Sequence, residues 1–127
     1  MVSVDGAWEA DLAGDLPDVS SARSTGTLQV RPLADRSGWQ AAGEVSLTTR
    51  TAWERALDRL ALEDVEVCHL ELSAVTFVDV AGVSALAAAV QGLPEGRRIM
   101  IEQPPAAVGR VLDMFWPDLP GVEVVAR

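Results

Sequence analysis

The side chains most able to do chemistry are few, and their positions keep them apart. His69, the single histidine, directly follows Cys68, the single cysteine, in a dense apolar run that predicts a β-strand. Successive strand residues point to opposite faces of a sheet, so these two side chains cannot form a nucleophile and its base. The carboxylates are spread along the chain, and no spacing brings two of them together. We therefore expect a protein without enzymatic activity.

Motifs that hold cofactors are also missing from the sequence. It contains no G-x-x-x-x-G-K-[ST] loop, no G-x-G-x-x-G turn and no G-x-S-x-G elbow, the patterns that hold phosphates, dinucleotides or a nucleophilic serine. A single cysteine excludes an internal disulfide and a multi-cysteine zinc site. We expect neither a cofactor nor a metal site.

The composition is that of one folded, acidic domain. The chain has 127 residues, 49% of them apolar and 23% charged, and its net charge of −9 repels phosphate backbones and anionic lipid. The longest nearly uncharged stretch, residues 80–93, is too short to cross a bilayer, and no secretion signal is visible. We predict a cytoplasmic protein that neither binds nucleic acid nor inserts into a membrane.

Residues 1–26 differ in composition from the rest of the chain. They hold five acidic residues and one arginine, a net charge of −4, together with glycine, proline and a serine-rich run, which is typical of an acidic flexible tail. Trp8, Leu12 and Leu16 stand four residues apart and could form one short amphipathic helix. Two readings stay open: a solvated tail, or a segment that docks on the domain or on a partner.

From residue 27 to residue 127, strand and helix patterns alternate in the order β-β-α-β-α-β-α-β. This order predicts an α/β fold with right-handed crossovers, a largely parallel sheet and one antiparallel hairpin at its start. The third strand is apolar on both faces except at His69 and Glu71, so we expect it to be central. Pro32 should mark an edge strand or its end. The predicted strands cover residues 28–33, 39–47, 65–72, 97–103 and 122–125. In each of the three predicted helices, four apolar residues at helical spacing form a stripe that should face the core: Trp53/Ala56/Leu57/Leu60, Val83/Leu86/Ala87/Val90 and Val108/Val111/Leu112/Phe115.

The most informative segment is residues 70–86, LELSAVTFVDVAGVSAL. A strand ending at Leu72, a short apolar loop and then Asp79 at a helix start predict an N-cap carboxylate, worth about 0.5–2 kcal/mol. This segment resembles the STAS family, named for sulphate transporters and anti-sigma factor antagonists, whose loop reads roughly F-[IV]-D-S-[ST]-G-[LIVM]. The stretches GEVSLTT (43–49), GRRIMIE (96–102) and PAAV (105–108), followed by Val111 and Leu112, extend the resemblance over residues 27–127.

The sequence departs from the family pattern where kinase-switched antagonists are phosphorylated. In such members the residue after the loop aspartate is the phosphorylated serine, whereas this chain has Val80 and then Ala81. The acid usual in the G-E-[LIV]-D step is Ser46 here. The resemblance therefore implies that the usual phospho-switch is lost. Ser84, one turn further along, is either a substitute phosphoacceptor or, as helix physics favours, a serine bonded to its own backbone.

The helix that follows Asp79 has a second face of small, uncharged residues. Alanines lie on or near the side opposite the buried stripe, and such a face is either a docking surface or a consequence of high helix propensity. Gly82 would allow close approach of a partner or tight internal packing. In STAS antagonists this helix and the preceding loop contact the partner. The resemblance thus implies partner binding by Phe77, Asp79, Val80, Ala81, Gly82, Ser84, Ala85 and Ala88.

Together these observations predict a non-catalytic interaction domain. The resemblance implies an anti-sigma factor antagonist that binds an anti-sigma factor of the histidine-kinase-like ATPase type and so regulates sigma-factor-dependent transcription. The alternative is a STAS subunit or scaffold of a larger assembly, such as the partner of a lipid-transport ATPase or a sensory complex. Nucleotide or lipid binding by the fold itself is disfavoured because Arg97 and Arg98 are the only basic cluster. A homodimer stays open.

Overall fold

The computed structural model describes residues 27–126. The predicted tail, residues 1–26, lies outside the described residues. The element order confirms the predicted one, with a short 3-10 turn added before the first helix. The elements are β1 (Leu28–Pro32), β2 (Gly38–Val45), the 3-10 turn (Leu47–Thr49), α1 (Arg50–Leu62), β3 (Val67–Val78), α2 (Val80–Gln91), β4 (Arg98–Glu102), α3 (Ala106–Phe115) and β5 (Val122–Val125).

The five strands form one mixed sheet in the order β1-β2-β3-β4-β5. β1 pairs antiparallel with β2, and every other pair is parallel. The predicted hairpin, the central position of the third strand and the edge position of Pro32 are therefore confirmed. Right-handed crossovers between neighbouring strands place all three helices on one face of this sheet.

The core lies between that face and the helices. The predicted stripes of α1 and α2 are buried throughout, and Val108 and Leu112 bury the same face of α3. The prediction for Phe115 is wrong, because this side chain is 57% exposed. Phe115 is the last residue of α3, and the following Trp116 packs against the core instead.

The predicted loop after Leu72 is also wrong, because β3 continues as a strand to Val78. Its register with β2 shifts twice, between Gln40 and Ala42 and between Gly43 and Glu44. Each shift changes which face the following residues occupy. Leu72, Val75 and Val78 therefore all remain buried although they are spaced by three. As a result, β3 leads directly into α2 with only Asp79 between them.

Candidate functional site: the junction of β3 and α2

Asp79 caps α2, as predicted. Its backbone is extended, and its Oδ1 accepts a hydrogen bond of 2.7 Å from the backbone N–H of Gly82. The backbone N–H of Asp79 in turn donates to the carbonyl of Val45 at 3.0 Å. The carboxylate thus satisfies one free donor of the first helical turn and complements the helix dipole.

Arg50, the first residue of α1, holds the other side of the same carboxylate. Its Nη2 lies 3.0 Å from Oδ2 and 3.3 Å from Oδ1 of Asp79, and both side chains are about three-quarters buried. The pair leaves no net charge at the start of α2. Sequence analysis missed Arg50 because the two residues are 29 positions apart and no spacing rule links the starts of different helices.

Gly82 serves internal packing. The residue is buried, and a Cβ there would lie 2.6 Å from Cγ1 of Val45 and 3.0 Å from Cγ1 of Val78. Its carbonyl accepts a hydrogen bond of 2.9 Å from the indole N–H of Trp53 in α1. Gly82 therefore seats the first turn of α2 against the sheet and α1, and it presents no side chain to a partner.

The 3-10 turn is held by hydroxyl hydrogen bonds. Thr49 Oγ1 accepts from the backbone N–H of Ser46 at 2.9 Å and donates to the carbonyl of Glu44 at 2.8 Å. Thr49 occupies the N-cap position of α1, but its side chain makes no cap hydrogen bond to that helix. This arrangement fixes the turn and projects Leu47 into solvent, with 81% of it exposed.

Three residues close in the chain to Arg50 or Asp79 have exposed apolar side chains. Leu47 precedes Arg50 by one turn, Val80 directly follows Asp79, and Phe77 lies opposite Glu44 at the end of β3. Their exposed fractions are 81%, 56% and 50%, respectively. We call these three residues the apolar patch. Leu47 was missed because the second strand was predicted to run to residue 47, whereas β2 ends at Val45 and Leu47 lies in the 3-10 turn.

The outer face of α2 continues from this patch. Ala81, Ser84 and Ala88 are exposed, whereas Ala85 and Ala89 are half-buried and pack against the core. Of the eight predicted contact residues, five are thus exposed: Phe77, Val80, Ala81, Ser84 and Ala88. Asp79 and Ala85 are partly accessible, and Gly82 is buried.

Comparison with known proteins now identifies the family. The family model described as "Mlab, STAS domain" matches residues 28–116. The chain belongs to the STAS domain family. The fold is also similar to that of an anti-sigma factor antagonist from Mycobacterium paratuberculosis, with a TM-score of 0.67, 19% sequence identity, and coverage of 85% of this chain and 92% of the other. No curated protein matches the chain significantly.

In this STAS domain a backbone hydrogen bond joins the end of β2 to the start of α2, next to Ser46 and Val80. The backbone N–H of Asp79, which precedes Val80, donates this hydrogen bond to the carbonyl of Val45, which precedes Ser46. Val80 has no hydroxyl group, and Ser46 has no charge.

A second polar cluster lies on the sheet face opposite the helices. His69 Nδ1 is 2.6 Å from Oε2 of Glu102, and the guanidinium of Arg36 donates to both oxygens of the same carboxylate. Burial opposes ionisation of Glu102, but the hydrogen bonds from Arg36 and His69 outweigh it and lower the pKa of this carboxyl. This cluster joins the β1–β2 turn to β4 and lies away from the junction.

The remaining chemistry-bearing groups do not form a reactive site. Cys68 is buried, and burial raises the pKa of its thiol to about 11, while His69 is bonded to Glu102 on the other face. Residues 27–126 contain no group of three or more His, Cys, Asp or Glu side chains able to hold a metal ion. No helix in this range is long and apolar enough to span a bilayer.

Proposed function

We propose that this STAS domain is an anti-sigma factor antagonist that acts by binding. Its partner is an anti-sigma factor of the histidine-kinase-like ATPase type, and its contact surface is the apolar patch with the exposed residues of α2. Binding would occupy that partner in the cytoplasm and release a sigma factor for transcription. The similar fold of the mycobacterial anti-sigma factor antagonist supports this proposal.

The observation that carries the proposal is the character of the junction. The chain has a net charge of −9, yet Leu47, Phe77 and Val80, which are close in the chain to the Arg50–Asp79 ion pair, have exposed apolar side chains. Exposed apolar surface on an acidic protein is a recognised mark of a protein interface. Because Val80 has no hydroxyl group, phosphorylation at that position cannot end the interaction.

A pull-down from native extract tests the proposal. The baits are the wild-type chain, Ala88→Arg on the exposed face of α2, and Leu62→Arg as a charge-matched control at the far end of α1, where the leucine is 82% exposed. We expect a kinase-like anti-sigma factor to bind the wild type and the control but not Ala88→Arg. Recovery of a transport ATPase or a sensory scaffold protein instead would contradict the antagonist function and favour the subunit alternative.

A second experiment concerns the switch. The complex would be incubated with the recovered partner and ATP, and phosphate would be mapped by mass spectrometry. We expect no phosphorylation within residues 73–84 that abolishes binding. Phosphate on Ser84 accompanied by dissociation of the complex would show that the switch has moved rather than been lost.

A further inference from the structure

A groove opens at the end of the domain opposite the junction of β3 and α2. It has a volume of about 420 Å³ and lies between the C-terminal end of α2, the turn before β4 and the loop before β5. α2 begins at the junction and runs for 12 residues to the groove, so the two sites lie about 17 Å apart along this helix. The groove is therefore far enough from the junction for both to be occupied at once.

Backbone hydrogen bonds hold the walls of the groove in place. The N–H of Arg97 donates to the carbonyl of Pro94 at 3.1 Å and closes a turn. Gly96 occupies the third position of this turn with a φ of 87°, a left-handed conformation that favours glycine. On the other wall, the carbonyl of Gly121 accepts a hydrogen bond of 2.8 Å from the N–H of Ile99. The fold thus fixes both walls, which lowers the ordering cost of binding.

The lining of the groove is apolar with a small number of charged groups. Its apolar part comes from Val90, Leu93, Pro94, Leu119 and Pro120. Two charged residues, Glu95 and Arg97, also line it. Such a lining is typical of sites that bind the apolar part of a ligand and orient it through a few polar contacts.

The electrostatics of the groove favour a cation. The guanidinium of Arg97 donates to the carbonyls of Ala61 and Glu63 at the end of α1, so its charge offsets the negative end of that helix. α2 has no basic residue in its last turn, so the negative end of its dipole has no compensating side chain within that helix. Glu95 is exposed and adds a carboxylate. A positively charged group on an apolar stem complements both the lining and this charge.

We propose that the groove binds a segment of a second protein partner that presents a lysine or arginine between apolar residues. The aliphatic stem of the basic side chain packs on Leu93 and Leu119, and its cationic head lies at Glu95 and the C-terminal end of α2. A second copy of this chain suits the groove poorly, because the chain has a net charge of −9. The domain would then join two partners, one at each end of α2. The inference uses no residue of the junction and stands or fails independently of the proposed function.

NMR titration of the ¹⁵N-labelled full-length chain with short peptides tests the site. The probe is acetyl-Leu-Arg-Leu-amide, and its control carries citrulline, which has the shape of arginine without the charge. We expect the arginine peptide to shift amides within residues 91–97 and 119–121 and to bind about fivefold more tightly than the control, as for a partly exposed ion pair. Equal binding of both peptides, or shifts confined to other residues, overturns the proposal.

A smaller probe separates a protein segment from a small cation. Acetyl-arginine-amide has the charge but lacks the flanking leucines, so it should bind at least about tenfold more weakly than the peptide. Equal affinity of the two would assign the groove to a small cationic ligand and overturn the proposal. Shifts of the same amides on raising the protein concentration without peptide would assign the groove to a second copy and also overturn it.

Matched variants test the role of the carboxylate. Glu95→Gln in the exposed turn should weaken binding of the arginine peptide about fivefold and leave binding of the citrulline peptide unchanged. Glu54→Gln on the exposed face of α1 removes the same charge elsewhere and should change neither affinity. An equal loss for both peptides in Glu95→Gln would reveal a structural effect and contradict the proposed recognition of a cation.

Discussion

Arg50 and Asp79 form an ion pair that joins the first residue of α1 to the cap of α2, with Nη2 and Oδ2 3.0 Å apart. The same carboxylate caps α2 through Gly82. One aspartate therefore orients two helices at the junction and contributes no net charge to the exposed surface beside it.

Substitutions of Asp79 and Arg50 should separate the contribution of the helix cap to the free energy of unfolding from that of the ion pair. Asp79→Ala removes both and should lower the free energy of unfolding by about 1–2 kcal/mol. Arg50→Met removes only the pair and should cost less than about 1 kcal/mol, because partly exposed pairs contribute little and Nε of Arg50 is buried without a hydrogen-bond partner. Urea unfolding measures both, and a larger loss for Arg50→Met than for Asp79→Ala would show that capping is not the main role.

The two helical glycines with different surroundings give a paired prediction. Gly82→Ala places a methyl group 2.6 Å from Cγ1 of Val45 and should destabilise the fold by about 1–3 kcal/mol through overpacking. Gly109→Ala in α3 meets no atom within 4 Å and should stabilise it by about 0.5–1 kcal/mol through helix propensity. Thermal unfolding of both variants checks the opposite signs, and a neutral Gly82→Ala would contradict the packing role.

The Arg36–Glu102–His69 cluster should make stability fall in acid. The folded state lowers the pKa of Glu102 below the ordinary 4.5, so its contribution is complete above pH 4.5 and is lost as the pH falls further. Glu102→Gln should be less stable than the wild type at pH 7 and should approach it below pH 4. Unfolding curves from pH 7 to pH 3 measure this gap, with Glu123→Gln on exposed β5 as the control. A difference in stability between Glu102→Gln and the wild type that does not change with pH would contradict the stabilising role of the Glu102 carboxylate.

Much of the fold could be predicted because its elements are locally regular. The buried stripes of α1 and α2 follow the helical period, and the third strand is central because it is apolar on both faces. The extension of β3 to Val78 was hidden, since two register shifts break the alternation that marks a strand. The exposure of Phe115 was not predicted because the apolar spacing does not show where the helix ends, and Phe115 is the last residue of α3.

The candidate site was only partly accessible to sequence analysis. Asp79 could be identified as a cap because capping acts over three residues, whereas its pairing with Arg50 spans 29 residues and arises only when two helices start at the same end of the sheet. Leu47 is exposed because hydroxyl hydrogen bonds of Thr49 fix the 3-10 turn. Residue type alone does not distinguish such a leucine from one in the core.

The affinity of the recovered partner for Val80→Asp is the most direct test of the central claim, that binding occurs at the junction. Val80 is 56% exposed at the first position of α2, where the helix dipole favours an aspartate, so the domain should stay folded. Titration calorimetry should show binding at least ~10-fold weaker than for the wild type, a loss of about 1.4 kcal/mol or more, with Leu62→Asp unchanged. Equal affinity of Val80→Asp and the wild type would contradict the account.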